Sequence, residues 1–174
     1  MKELIYLKPF FDSPSKEFTV RDISRILKIS PATASKYLKD FHKQNILQYR
    51  KERILDLYSA HISSREYRDI KIFYNIRLIR ESGLIEELND FYLKPTIVLF
   101  GSMSNGYDRE DSDIDLFIQC EGNNEFPQQK RFEKLFSKEL QIFVHSSIKE
   151  VGNKHLMNNI ISGIVLQGVI RGFE

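Results

Sequence analysis

The stretch from Ile97 to Ile118 constrains this chain more than any other. It reads Ile-Val-Leu-Phe, then Gly101-Ser102, then ten residues from Met103 to Ser112, then Asp113-Ile114-Asp115-Leu116-Phe117-Ile118. Short apolar runs bounded by turn residues read as buried strands, here 96–100 and 113–119. Alternate side chains of a strand share a face, so Asp113 and Asp115 point the same way, roughly 6–7 Å apart along the backbone, while Ile114 and Leu116 enter the core. Two like charges left desolvated and unpaired on one strand face are costly. A divalent cation answers both problems, and carboxylate oxygens suit Mg²⁺, which shares its shell with water and substrate phosphates. Gly101 lets a phosphate approach the backbone. A short helix from Ser102 would offer free N–H groups to it, and the serine hydroxyl adds a donor. An anion cradle beside a cation clamp supplies the parts for Mg²⁺-assisted phosphoryl or nucleotidyl transfer. The same residues also fit a plain turn followed by a solvated strand edge.

The stretch resembles the nucleotidyltransferase superfamily of the DNA polymerase beta type. The resemblance lies in Phe100-Gly101-Ser102, the ten-residue spacing and Asp113-Ile114-Asp115-Leu116, and it covers roughly residues 95–170. Gly106 and Ser112 are similar to the small, stand-alone minimal nucleotidyltransferases. The resemblance implies that Gly101 and Ser102, helped by Ser112, hold a nucleotide triphosphate, and that Asp113 and Asp115 bind catalytic Mg²⁺ or Mn²⁺. ATP, or another nucleoside triphosphate, is the implied substrate. Two positions depart from the family pattern. Gln141 stands where a third carboxylate is expected, and glutamine neither takes a proton nor binds metal strongly. Glu139, two residues earlier, is the candidate base in its stead. Asn105 replaces a frequent arginine, and Arg109 is the candidate substitute. Minimal members often act as antitoxins with a small helical partner protein, which makes such a partner an expectation here.

The front of the chain has a different character. Residues 1–58 carry a net charge of +5, residues 59–94 none, and residues 95–174 −3. A basic front suits phosphate backbones, although small imbalances of this kind are ordinary. Leu4, Ile5, Leu7 and Phe11 fit a helical stripe ending near Pro14. Thr19 caps a helix over 20–27, with Asp22 near its start and Ile23, Ile26 and Leu27 inward. Ser30-Pro31 is a second helix start, for a helix to about residue 44 with Ala34, Leu38 and Phe41 inward. Strands over 46–49 and 54–58 flank Arg50-Lys51-Glu52-Arg53 as a hairpin.

Three short helices and a charged hairpin resemble a winged helix-turn-helix in pattern. In such a module the second helix of the pair enters the major groove of double-stranded DNA. Its candidates are Thr33, Ser35, Lys36, Lys39 and Lys43, with Arg50, Lys51 and Arg53 at the wing. A packing or dimerising role for this basic face is the alternative. A homodimer is compatible with a reader of paired half-sites.

The domains expected are 1–60, a winged helix-turn-helix; 61–94, a helical connector with Gly83 ending its long helix; and 95–174, a nucleotidyltransferase domain. A strand over 140–145, helices near 127–137 and 154–162, and a last strand over 164–170 complete it. Phe132, Leu135 and Phe136 are expected inward. The fold class is α+β, with α/β as the alternative.

Composition sets the limits. Apolar residues at 41% supply real cores, which excludes disorder as the main state. No apolar run reaches about 18 residues, so no membrane span and no membrane partner are expected. A single cysteine, Cys120, excludes an internal disulfide framework and suggests a reducing, cytoplasmic setting. The four histidines lack metal-ligand spacing, and no P-loop is present. Three readings remain: an enzyme moving a nucleoside monophosphate, AMP from ATP, to an acceptor; a catalytically degenerate nucleotide sensor that tunes a DNA-binding regulator; or a purely structural scaffold.

Overall fold

The computed structural model describes residues 4–122 and 124–172. It is an α+β chain that divides into two compact units, Met1–Lys71 and Ile72–Glu174.

In the first unit, α1 (Leu4–Asp12), β1 (Phe18–Thr19), α2 (Val20–Leu27) and α3 (Pro31–Lys43) precede a hairpin of β2 (Leu47–Glu52) and β3 (Leu55–Ala60). The α2 start is a capping box. The Thr19 hydroxyl accepts from the Asp22 N–H, while the Asp22 carboxylate accepts from the Thr19 N–H at 2.9 Å and from its hydroxyl at 2.7 Å. Such caps contribute about 1 kcal/mol each. At α3 the Ser30 hydroxyl accepts from the Thr33 N–H, and Pro31 takes the first helical position. Ala34, Leu38 and Phe41 are buried as their spacing predicts.

The antiparallel sheet has the order β1-β3-β2. The hairpin turns at Arg53-Ile54 rather than across Arg50–Arg53, so Arg50, Lys51 and Glu52 lie within β2 and Ile54 stands 92% exposed at the tip. Ile5 and Ile26, expected inward, are both more than half exposed. A narrow apolar stripe suffices for helices this short, and Leu7, Phe10, Phe11 and Ile23 already supply it.

The division between the units falls inside α4 (Arg65–Glu81). The second unit adds α5 (Leu84–Phe91), β4 (Thr96–Phe100), α6 (Gly101–Asn105), β5 (Ile114–Gln119), α7 (Gln129–Phe136), β6 (Leu140–His145), α8 (Lys154–Ile161) and β7 (Ile164–Gln167). Gly83, with φ +79°, separates α4 from α5. The sheet order is β6-β5-β4-β7. β5 runs parallel to β6 and antiparallel to β4, which pairs antiparallel with β7.

Each sheet face carries its own core. Ile97, Leu99, Ile114, Leu116 and Leu140 pack with Ile79, Leu88 and Phe132 on one face. Val98, Phe100 and Phe117 pack with Ile148, Val151 and Ile160 on the other. β5 is therefore an interior strand covered on both sides, which overturns the solvated-edge alternative. Phe132 is fully buried, whereas Leu135 is 59% exposed and does not belong to the inward face of α7. Among the described residues, no helix is long and apolar enough to cross a membrane.

Candidate active site

The chain turns sharply where β4 ends. Phe100 is extended, Gly101 opens the five-residue α6 at φ +69°, and Gly106 at φ +74° closes it. Only glycine adopts such angles without steric cost. Gly101 has a second constraint. A Cβ built on it would lie 2.1 Å from Asp115 Oδ2, so the Asp115 carboxylate occupies the space that any side chain at 101 would need. The Phe100–Asp115 pairing of β4 with β5 produces this contact.

Asp115 faces the side of the sheet that carries Phe100, Phe117 and α8. It is partly buried, and burial, followed by the charge of Asp113, raises its carboxyl above the ordinary value of 3.8. That perturbation marks an acid held partly out of water, with a second acid nearby adding to the effect. Asp113 immediately precedes β5, and its Oδ2 accepts a 2.6 Å hydrogen bond from Gln141 Nε2. Gln141 is the β6 partner of Asp115. The position expected to hold a third acid thus carries an amide that donates to the first.

The loop between α6 and β5 is held at several points. Asn75 of α4, fully buried, donates through Nδ2 to Met103 O at 3.0 Å and to Asp108 Oδ1 at 2.7 Å. Lys138 Nζ donates to three carbonyls of that loop: Arg109 at 2.6 Å, Glu110 at 3.2 Å and Ser112 at 3.0 Å. The Ser112 hydroxyl accepts from the Arg109 N–H at 2.9 Å, so its observed bond is to the loop itself. These bonds fix the approach to Asp113.

An open cavity of about 400 Å³ adjoins Gly101 and Ser102. α6 and the turn after it contribute Ser104, Asn105 and Tyr107, and the end of α8 contributes Asn159 and Ser162. Sequence spacing gave no sign of Asn159 or Ser162, which stand about sixty residues beyond Gly101-Ser102. Lys138 was equally hidden, because a lone lysine beside a loop has no pattern. Glu139 and Arg109 are not among the residues lining this cavity. Glu139 instead lines a shallow depression with Glu133, Ser137 and Lys138, and its carbonyl accepts from the Ile114 N–H. Arg109 is exposed.

In the first unit, Lys36, Lys39, Lys43, Lys51 and Arg53 are exposed, and Ser35 is half-buried. The Thr33 hydroxyl shares a 2.8 Å hydrogen bond with that of Ser30. Arg50 is held by both oxygens of Glu17, at 2.6 and 2.5 Å, and by Glu52 at 2.7 Å.

One acid, Asp115, lies on an interior strand of a mixed sheet against the Gly101 turn of the adjacent strand, and a second, Asp113, immediately precedes that strand. Residues 84–168 match the family model described as Polymerase beta, Nucleotidyltransferase. The C-terminal part of the chain is thus polymerase beta-like over residues 84–168. No curated protein matches the chain. Among solved structures, a possible transcriptional regulator from Methanosarcina mazei Go1 is similar over 52% of this chain and 77% of that one, at 22% identity. Its TM-score of 0.36 leaves that likeness without weight.

Proposed function

We propose that the second unit transfers a nucleoside monophosphate, AMP from ATP, to an acceptor hydroxyl or other nucleophile with Mg²⁺ or Mn²⁺ as cofactor, the new bond to the α-phosphorus replacing the α–β phosphoanhydride bond and releasing pyrophosphate and the acceptor's proton. The observation that carries this reading is the Asp115 carboxylate seated against Gly101, with Asp113 two residues away on the same strand approach. Among the described residues, no group of three or more His, Cys, Asp or Glu is placed to hold a metal by itself. Two carboxylates nonetheless fit Mg²⁺, which completes its octahedron with water and substrate phosphates. The raised Asp115 carboxyl fits too, because a cation would offset both the burial and the Asp113 charge that raise it.

Asp113 and Asp115 would hold the ion, and the ion would neutralise charge developing on the transferred phosphoryl group. Gly101 and Ser102 would seat the phosphates. Incubation with ATP labelled at the α-phosphorus, Mg²⁺ and cell extract tests the reading. Label should move to an acceptor, and the Asp113→Asn/Asp115→Asn variant should lose that transfer. Wild-type transfer that persists in the variant refutes the roles given to these acids.

A second reading rests on Gln141. Its amide occupies Asp113 where an acid would be needed to activate an acceptor, which favours a domain that binds nucleotide without turnover. ATP binding by the wild type with no label transfer selects this reading.

For the first unit we propose a winged helix-turn-helix that binds double-stranded DNA. Its support is the exposed lysine face of α3 beside the hairpin carrying Lys51 and Arg53. Arg50 serves the fold through Glu17 and Glu52, so it contributes less to DNA than its charge suggests. Binding should weaken steeply with salt, and Lys36→Ala and Arg53→Ala should each flatten the salt slope by about one unit. Absence of binding at low salt across varied duplexes refutes it.

A further inference from the structure

We infer that Asn75 is a positioning residue for the nucleotide site: its side-chain amide holds α6, and with it Ser102, in fixed relation to the loop that carries Asp113, so that phosphate and cation bind cooperatively. This deepens the nucleotidyltransferase reading, rests on it, and concerns a residue outside the matched stretch 84–168.

Asn75 belongs to the second unit and is 1% exposed. An amide NH₂ has two protons to donate, and Asn75 Nδ2 uses both. One goes to Met103 O at 3.0 Å, the other to Asp108 Oδ1 at 2.7 Å. Met103 directly follows Ser102, and Asp108 stands in the loop that runs on to Asp113. Strand pairing fixes Gly101 against Asp115, and Gln141 ties Asp113 to β6. α6 lies beyond the end of β4, outside that pairing. Among the described residues, Asn75 is the one side chain from outside residues 101–107 that hydrogen-bonds to α6. The three bonds of Lys138 all go to the loop. Met103 and Asp108 are nearly as buried as Asn75, so a bond lost here is not replaced by one to bulk water.

The amide keeps this orientation against a penalty. Asn75 Oδ1 is buried without a hydrogen-bond partner, the one buried side-chain nitrogen or oxygen of the described residues in that condition. An unpaired buried acceptor costs about 1–3 kcal/mol. Turning the amide over would set Oδ1 against two further oxygens and lose both bonds. Serine or threonine would bring one proton, and asparagine is the shortest uncharged side chain that brings two. The orphaned oxygen is thus what remains of a group whose donors are both committed beside the site. A cation shared between carboxylates and phosphates strengthens ATP binding only when the two halves of the site are correctly spaced. Asn75 supplies that spacing, while the acids keep their own supports in the sheet.

The test is calorimetric titration of the full chain with Mn²⁺ alone, with ATP alone, and with ATP in the presence of Mn²⁺. In the parent, Mn²⁺ should tighten ATP about tenfold. Asn75→Ala should reduce that tightening to about threefold or less and leave the affinity for Mn²⁺ alone unchanged. Asp108→Ala, which breaks one of the two bonds, should reduce it in the same direction. Gly83→Ala serves as a destabilised reference with nothing near its new Cβ, and it should keep the parent's tightening. A merely structural role for Asn75 would make Asn75→Ala behave as Gly83→Ala does. Thermal melts establish which variants fold; should Asn75→Ala not fold, Asp108→Ala decides in the same terms. Tightening equal to the parent's overturns the inference, as does loss of ATP affinity by the same factor with and without Mn²⁺; ATP binding itself would still support the nucleotide reading. Absence of ATP binding by the parent, or of any tightening by Mn²⁺, overturns both together.

Discussion

Replacing Gly101 by alanine should damage the second unit through two separable effects. The first is backbone strain. At φ +69°, a residue with a Cβ pays about 1–2 kcal/mol. The second is collision. The new Cβ would lie 2.1 Å from Asp115 Oδ2 and 3.0 Å from its Cγ, where ordinary contact begins near 3.4 Å. The carboxylate must move by more than an ångström, and forcing it off its rotamer costs about 0.5–1.5 kcal/mol. Gly101→Ala should therefore destabilise by about 2–3 kcal/mol, a urea midpoint shift of about 1 M at the usual slopes.

Gly83 isolates the first effect. Its φ is +79° and nothing lies within 4 Å of a Cβ built there, so Gly83→Ala should cost only the backbone term, about 1–2 kcal/mol. The assay is urea unfolding of each variant, in the native background and with Asp115→Ala. In the Asp115→Ala background Gly101→Ala should cost no more than Gly83→Ala does, giving a coupling of about 1 kcal/mol between positions 101 and 115. Coupling below about 0.3 kcal/mol would place the Asp115 carboxylate elsewhere and remove the physical basis of the site.

Asp115 also predicts a pH dependence. Its folded pKa lies above the ordinary 3.8, so between those two values the unfolded chain releases its proton first, and stability falls as pH rises through that window. Thermal melts spanning the window without divalent cation should show this decline in the parent and its loss in Asp115→Asn; an unchanged profile would mean the acid is not strained. Lys138→Met removes three donated hydrogen bonds and should destabilise by about 2 kcal/mol. Hydrogen exchange should quicken in residues 109–112 ahead of the strands, and protection equal to the parent's would refute the clamp. Gln141→Glu replaces a donor to Asp113 with a third carboxylate. Mn²⁺ affinity measured by calorimetry should rise about tenfold as the anionic ligand count grows, and no rise would show that position 141 does not face the acids.

Much of this fold was legible because its signals are local. Thr19 with Asp22 and Ser30 with Pro31 marked two helix starts through bonds spanning three residues. Ala34, Leu38 and Phe41 marked a buried face through their spacing alone. Errors arose where a pattern has no single reading. Ile5, Ile26 and Leu135 are apolar at plausible positions, yet each is exposed, because burial depends on which face meets a neighbour. Residues 50–53 looked like a turn by charge, but the β2–β3 register moved the turn to Arg53-Ile54.

The candidate site divides in the same way. By itself the sequence determined the glycine-serine turn, the two acids and the glutamine at the expected third position, since each lies within one strand or one strand-to-helix corner. Tertiary structure alone decided that Asp115 fills the space above Gly101, that Lys138 fastens the loop ahead of Asp113, and that Asn159 and Ser162 close a neutral cavity beside Ser102. Those relations come from strand order and from the return of α8 across the sheet. Contacts between residues far apart in the chain leave no periodicity in it, so only the folded sheet brings them into view.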